Sequence, residues 1–360
     1  MPKFTIAVVG AGLSGLIFAL SLQKFAPDVD VVIYETVSEL SEIGAGIGLA
    51  PRAWSIIQAI GLEKSLLKVA GDGGKPCIPH THRKSDQAEG VVIDHTVRDE
   101  MNYSFFRAEL QKALLKHLLP KNKVRLNKRL VSYIQLPQSL GVELLFEDGS
   151  VEVCDVLLGC DGIRSRVRAT MYSKLANDAE AEGKTDEAEQ LRSHITPVFS
   201  GEVVYRCLIR KDMLPPGVAE HRAFDTSDLV IYVDGGLKWV INVVTKLPTY
   251  VNGRVGLVGD AAHAMGHHLG AGAGQSFEDG FFLARLMSHP DITKEDLPLV
   301  LQLYDESRRP FTQNIVALAR RRGQLHHLDS PELAWLTAER SANGDALNRE
   351  QLLEMSEMME

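Results

Sequence analysis

Ten residues into the chain, Gly10-Ala-Gly12-Leu-Ser-Gly15 follows a short apolar run and opens a stretch with helical spacing. No other feature limits the fold so tightly. Lys3 to Val9 reads as a buried parallel strand, because it is short, β-branched and stops at glycine. Leu13 to Phe25 reads as a helix and Val29 to Tyr34 as a second strand, completing a β-α-β unit. In such a unit Gly10 permits the tight turn, Gly12 lets backbone approach a pyrophosphate, and Gly15 lets the helix come close to the sheet. The helix start offers free N–H groups and the positive end of its dipole to phosphate. Glu35 ends the second strand twenty residues after Gly15, where a carboxylate accepts hydrogen bonds from a ribose hydroxyl. These features together indicate a dinucleotide site, which a chance glycine-rich turn would not carry. The spacing does not separate FAD from NAD, and Glu35 disfavours a 2′-phosphate.

The apolar run from Ile6 to Leu22 could pass for a signal peptide or a membrane anchor. It is shorter than the ~20 apolar residues of a bilayer span, and it lacks a small-residue cleavage pattern. It is therefore taken as strand, turn and helix, with no membrane span and a cytoplasmic location expected. A formal net charge of -8 argues against a nucleic-acid partner, since phosphate binding needs a basic face. Cys77, Cys154, Cys160 and Cys207 are too few and scattered for a disulfide framework. Cys77, His80 and His82 lie close together, but no second cluster completes a metal site at familiar spacing, and no metal is expected.

Helical spacing recurs from Arg52 to Ile60 and from Phe106 to Leu119. Residues 71–100 read as loop and short strand. Short strands follow at Lys123 to Leu126, Arg129 to Leu136, Val142 to Glu147 (ending in the Asp148-Gly149 turn) and Val153 to Gly159. Ser173 to Ser193 reads as a charged, alanine-rich, solvated helix. Strands resume from Val198 to Arg210 and from Leu229 to Val244, with a last buried strand at Arg254 to Val258. Helices follow, and Arg308, Arg309 and Arg320 to Arg322 read as ordinary surface charge on them. Mononucleotide-binding elements thus stand at both ends of the chain, with an antiparallel block between them.

Three further segments join the fingerprint: Gly159-Cys-Asp161-Gly162-Ile-Arg-Ser-Arg-Val-Arg168, Gly259-Asp260-Ala-Ala-His263, and the glycine-rich Gly44 to Arg52. In this order they resemble the single-component FAD-dependent aromatic hydroxylases, most closely the salicylate-hydroxylase-like members of fungi, from about Phe4 to Arg322. The resemblance implies an α/β fold with a Rossmann-type FAD-binding domain that is discontinuous in sequence. Its expected segments are 1–75, 100–168 and 250–290, with an inserted antiparallel-sheet substrate domain over 76–99 and 169–249. C-terminal helices and a tail occupy 291–360.

The resemblance also implies roles. Gly10, Gly12, Gly15 and Glu35 would hold the ADP half of FAD, and Arg107 would lie near its phosphates. Asp161 and Gly162 match the motif linked to both FAD and the nicotinamide donor, and Asp260 the aspartate on the ribityl chain. Gly48 and Arg52 belong to the segment lining the flavin, where the family more often has asparagine in place of Arg52. Gly272 and Ala273, within Gly270-Ala-Gly-Ala-Gly274, would bring backbone and a helix N-terminus to the ring. Close helix–sheet packing is the alternative role for those glycines. NADH or NADPH would reduce FAD, and O2 would be carried as a C4a-hydroperoxide to a phenolic or aromatic-acid-like substrate. His268 is the candidate proton carrier and Arg206 the candidate partner of a substrate carboxylate. Either could instead be surface or packing.

The chain departs from the pattern twice. His267 stands where the family usually has proline, and the strand ending near Thr245 runs almost directly into the next motif, where the family carries a longer helical connection. A flavin oxidase or reductase, or a flavin-binding pseudoenzyme, is therefore the competing reading. No particular oligomeric state is favoured.

Overall fold

The first strand, β1 (Thr5–Val9), is buried on both faces, as its unbroken apolar run requires. It leads into α1 (Leu13–Phe25) and β2 (Asp30–Tyr34). The computed structural model describes residues 2–40, 46–70, 75–76, 80–84, 91–96, 101–120, 123–137, 141–206, 229–230 and 237–326. After β2 come β3 (Gly46–Leu49), α2 (Pro51–Ala59) and a short α3 (Glu63–Leu66). Strands β4 (Lys75–Pro76), β5 (His80–Lys84), β6 (Val91–Thr96) and β7 (Met101–Phe106) precede α4 (Arg107–Leu115). Next are β8 (Lys123–Arg125), β9 (Leu130–Gln135), β10 (Val142–Phe146), β11 (Val151–Cys154) and β12 (Val156–Gly159). Helices α5 (Arg166–Ala181) and α6 (Thr185–Ser193) lead to β13 (Val198–Arg206), β14 (Leu229–Val230) and β15 (Leu237–Val243). Then β16 (Val251–Asn252), β17 (Val255–Leu257) and α7 (Asp260–His263) are followed by a 3-10 turn at His267–Leu269, α8 (Gly272–Met287) and α9 (Leu297–His326).

The central sheet has the order β16-β17-β12-β1-β2-β8. β1 pairs parallel with β2 on one side (Val9 opposite Tyr34) and with β12 on the other (Val9 opposite Gly159). β12 and β17 continue in parallel, and only β16 runs antiparallel. The strand order reverses between β1 and β12, and the crevice beyond their carboxyl ends is where open α/β sheets take ligands. Antiparallel pairs surround this sheet: β9–β10–β11, β3–β7–β4, β5–β6 and β13–β15. The α/β class with a Rossmann-type sheet and inserted antiparallel strands is the observed one.

Three expectations need correction. The run from Val153 to Gly159 is two strands in two sheets, divided at Asp155. The Asp155 carboxylate accepts the Thr5 N–H at 2.7 Å and pairs with Lys294, so the chain turns out of the β9–β10–β11 sheet beside β1. Second, the charged stretch from Ser173 belongs to a helix that starts seven residues earlier. α5 buries Val167, Met171, Tyr172 and Ala176, so it is a packed helix; only α6, which buries Ala188 alone, is solvated. Its apolar face is carried mainly by Val167, Met171 and Tyr172, ahead of Ser173. Third, Arg308 is buried, for reasons that belong to the site below.

The short passage from β15 to β16 is tied at every step. Val244 N–H donates to the Ala264 carbonyl at 2.9 Å, Gln313 Nε2 to the Leu247 carbonyl at 2.6 Å, and Tyr250 N–H to Asp305 Oδ1 at 2.7 Å. Tyr172 donates its hydroxyl to the Thr249 carbonyl at 2.7 Å. Cys154 and Cys160 are free and buried. Cys77, Cys207 and the 327–360 tail lie outside the described residues. Among the described residues no helix is long and apolar enough to cross a membrane.

Candidate functional site

Gly10 turns at φ +107°, and a Cβ there would fall 2.3 Å from the Cys160 carbonyl oxygen, so only glycine lets β1 and β12 end side by side. A Cβ on Gly15 would lie 2.3 Å from the Gly10 carbonyl oxygen, which seats α1 directly on the turn. Gly12, at the N-cap of α1, is different: a Cβ there would meet nothing within 4 Å. Its bare face looks onto open space at the start of a thirteen-residue helix, where N–H groups await an anion. Glu35 braces the turn, with Oε2 accepting the Ala11 N–H at 2.8 Å and Oε1 the Val37 N–H at 3.2 Å. From the other side Gln111 Nε2 donates to the Ala11 carbonyl at 2.9 Å. Gln111 lies on α4, whose first residue is the exposed Arg107.

After β12 the chain enters Asp161-Gly162, with Gly162 at φ +72°. Asp161 Oδ2 accepts the N–H groups of Arg166 and Val167 at 2.7 and 3.1 Å, capping the start of α5. Its other oxygen, Oδ1, is buried with no hydrogen-bond partner among the described residues. Burial raises the carboxyl from its ordinary value, against the pull of those N–H donors. A buried acceptor with no partner is costly unless a ligand satisfies it. Behind this loop lies the fully buried Arg168, which donates to the Ile163, Ala261 and His194 carbonyls at 2.6, 2.8 and 3.2 Å. One guanidinium thus fastens the Asp161 loop to the turn that follows β17.

That turn begins at Gly259 (φ +66°), where a Cβ would lie 2.7 Å from Ser276 Oγ and 3.1 Å from Ser14 Cβ. Glycine here lets β17, α1 and α8 meet. Asp260, the first residue of α7, stays exposed. Beneath it Asp279 Oδ2 accepts the Gly259 N–H at 3.1 Å and contacts His263 Nε2 at 2.6 Å, while Arg308 Nε donates to Oδ1 at 2.8 Å. Burial alone would raise the Asp279 carboxyl; His263 and Arg308 outweigh it and hold it at about 2. Arg308 also reaches Glu278 and Gln275, and Glu278 in turn pairs with Arg52 at 2.8 Å. Arg308 is buried because its carboxylates come from α8, across the helix interface. Its own sequence neighbourhood gives no sign of them.

Gly272 and Ala273 open α8, and Cβ atoms on Gly272 or Gly274 would meet nothing within 4 Å. Close packing in this helix falls instead on Gly280, where a Cβ would lie 3.0 Å from the Phe18 nitrogen of α1. The glycines at the helix start therefore face open space. Gly48 is exposed on β3, and Arg52 sits at the start of α2. His268 is turned away from solvent, its Nε2 lying 3.0 Å from both carboxylate oxygens of Glu202 on β13. Arg206 ends the same strand, opposite Leu237; its side chain lies outside the described residues. Of the neighbouring Cys77, His80 and His82, the two histidines fall on β5, and Cys77 lies outside the described residues.

Gly10, Gly12, Gly15, Glu35, Asp161, Gly162, Asp260, Gly272 and Ala273 thus gather around the carboxyl ends of β1, β12 and β17 and the start of α8. Arg107 and Arg52 join through Gln111 and Glu278. The bare glycine faces and the unpaired Asp161 Oδ1 fit an extended dinucleotide. Asp279, His263, Arg308, Arg168 and Gln111 were not singled out from sequence. Two adjacent acids, Glu278 and Asp279, set before the apolar run Phe281 to Ala284, were the available signal.

A family model described as an FAD binding domain matches residues 3–202 and 221–319. Salicylate hydroxylase of Pseudomonas putida is 28% identical, with 92% of this chain and 87% of the relative covered. An FAD-dependent monooxygenase of Strobilurus tenacellus is also 28% identical, over 89% and 88%. Among solved structures, a salicylate hydroxylase substrate complex is similar at TM-score 0.65 and 25% identity, covering 100% of this chain and 98% of that one. Klebsiella pneumoniae HpxO complexed with FAD and uric acid has TM-score 0.64 at 20% identity, over 99% and 96%, a likeness of fold.

Proposed function

This chain belongs to the FAD-binding-domain family of FAD-dependent monooxygenases, and from that premise we propose that it hydroxylates a phenolic or aromatic-acid substrate, with NADPH or NADH as electron donor and O2 as oxygen source. The observation that carries the reading is the second glycine-faced helix start, Gly272–Gly274, facing open space next to the β1–β12 crevice. A dinucleotide domain needs only the first such start. A second one suits a cofactor whose far end is a flat, redox-active ring.

Bound FAD supplies the hydride acceptance and oxygen activation that no side chain provides. The chain's own residues do the rest. The Gly10–Gly15 turn and the N-terminus of α1 bind the pyrophosphate, with Arg107 adding positive charge near it. Glu35 and Asp161 accept hydrogen bonds from ribose and ribityl hydroxyls, and Asp260 does the same from the turn after β17. Gly48 and Arg52 border the ring. The start of α8, through Gly272 and Ala273, places N–H groups where negative charge develops on reduction. Arg206 holds a substrate carboxylate and His268 moves the phenolic proton, since an electron-rich ring carbon is needed for attack on electrophilic oxygen. Salicylate hydroxylase and 6-methylsalicylate 1-monooxygenase among the relatives support an ortho-hydroxy aromatic acid as the first substrate to try.

The test is NAD(P)H oxidation by the FAD-reconstituted protein against a panel of phenolic acids under isotopically labelled O2. Substrate-stimulated oxidation with one labelled oxygen in the product is expected. Oxidation that yields only hydrogen peroxide with every aromatic would overturn hydroxylation in favour of an oxidase or pseudoenzyme.

A further inference from the structure

We propose that Glu202, His267 and His268 form a binding site for a divalent transition-metal ion of the zinc class, which fastens strand β13 to the turn ahead of α8. Glu202 lies on β13 and the two histidines on the 3-10 turn, yet one ligand atom from each residue falls within 4.8 Å of the other two. Two imidazoles and one carboxylate make a mixed nitrogen–oxygen donor set. Zinc and its first-row neighbours take that set, whereas calcium and magnesium demand oxygen ligands.

The geometry is near to what an ion needs. Both Glu202 oxygens lie 3.0 Å from His268 Nε2, so the carboxylate faces the imidazole squarely. Zinc bonds of ~2.0–2.1 Å at a tetrahedral angle separate ligand atoms by about 3.3 Å, only slightly wider. The ion would replace the proton these two groups share. Helix α9 forms the floor: a Cβ on Gly323 would lie 2.6 Å from His268 Nε2 and 3.0 Å from Glu202 Oε1, so glycine alone leaves the room. His267 is exposed and gives the ion an approach from solvent, with a fourth position left for water. With an ion bound through Nε2, His268 has no lone pair left to take up a proton, so the proton role proposed for it belongs to the metal-free protein.

The full chain, reconstituted with FAD and stripped with chelator, is titrated with zinc by calorimetry and with cobalt by its visible absorption above the flavin bands. One equivalent bound at micromolar concentrations or tighter is expected, with a tetrahedral cobalt spectrum and no response to magnesium or calcium. His267→Ala, at an exposed position, should weaken zinc about tenfold or more and abolish the zinc-induced rise in unfolding temperature. Glu202→Gln should do the same, while His289→Ala, an exposed histidine elsewhere, should not. Unchanged zinc affinity in His267→Ala, or no stoichiometric binding by the unmodified chain, would overturn the proposal. Binding is read without turnover, so the result is separate from that of the hydroxylation test.

Discussion

Gly10 and Cys160 sit so close that a β-carbon on the first would fall 2.3 Å from the carbonyl oxygen of the second. Gly12, two residues on, has nothing within 4 Å of the same virtual atom. Two glycines of one motif thus have different surroundings, one packed against protein backbone and one open. Gly10→Ala should destabilise the apoprotein by about 2 kcal/mol or more, through the positive φ and the clash. Gly12→Ala should leave the apoprotein within about 1 kcal/mol of the parent but weaken FAD binding. Urea unfolding of both apoproteins, with flavin fluorescence titration, separates the cases. Parental FAD affinity in Gly12→Ala would sink the assignment of that face to the cofactor.

Asp279 stands at the centre of a buried network with Gly259, His263 and Arg308. Asp279→Ala leaves buried Arg308 with only its Glu278 and Gln275 contacts and orphans the Gly259 N–H, and should cost about 3 kcal/mol. The double replacement Asp279→Leu with Arg308→Met should recover part of that loss, because two apolar groups replace a charged pair. A double replacement no more stable than Asp279→Ala would mean that the Gly259 N–H and His263 contacts dominate. Denaturant midpoints decide between them.

Buried Arg168 joins the loop after β12 to the turn after β17. Arg168→Met strands three carbonyls and should cost about 3 kcal/mol or more. It should also speed hydrogen exchange in both loops together. Ser165→Ala removes the N-cap that accepts the Arg168 N–H at 2.9 Å and the hydroxyl beside Asp161, at about 1 kcal/mol, and should loosen the start of α5 without reaching the turn after β17. Equal exchange patterns in the two variants would contradict the fastening role.

His194 supplies the pH dependence. Burial, aided by the nearby Arg168 charge, lowers its pKa from the usual 6.5. A depressed folded value means that the unfolded chain takes up the proton first. Stability from this group is therefore complete above the unfolded value and is lost as pH falls below it. Urea midpoints should fall between about pH 7.5 and about pH 5.5, and His194→Gln, which can keep a hydrogen bond to Thr245, should show a shallower fall. An identical slope in the variant would locate the effect elsewhere.

The parallel sheet was legible in the sequence because each of its long strands is a short apolar run closed by glycine or acid, and the turns after β1, β12 and β17 carry their glycines in recognisable order. The break at Asp155 was not, since an aspartate between apolar residues looks like a strand position until Thr5 and Lys294 are seen on either side of it. The glycines and acids of the candidate cofactor cradle were legible for the same reason: their roles are local. Arg308 was misread because its partners lie on another helix, about thirty residues earlier, and no periodicity carries that pairing. Glu202 was missed for a similar reason. On β13 it is one acid among many until the turn with His267 and His268 is set against it.

The neighbours of β1 arrive at very different times during synthesis. β2 is at hand almost at once, whereas β12 begins at Val156. At ~5–20 residues per second, a ribosome needs about 6–25 s after β2 to deliver that second neighbour. Throughout that interval Ile6 to Val9 present a bare, apolar strand edge, which is a template for wrong pairing with other chains. Yield of this protein in a cell should then depend more on chaperone capacity and growth temperature than on the stability of the finished sheet, and slower growth in the cold should raise it.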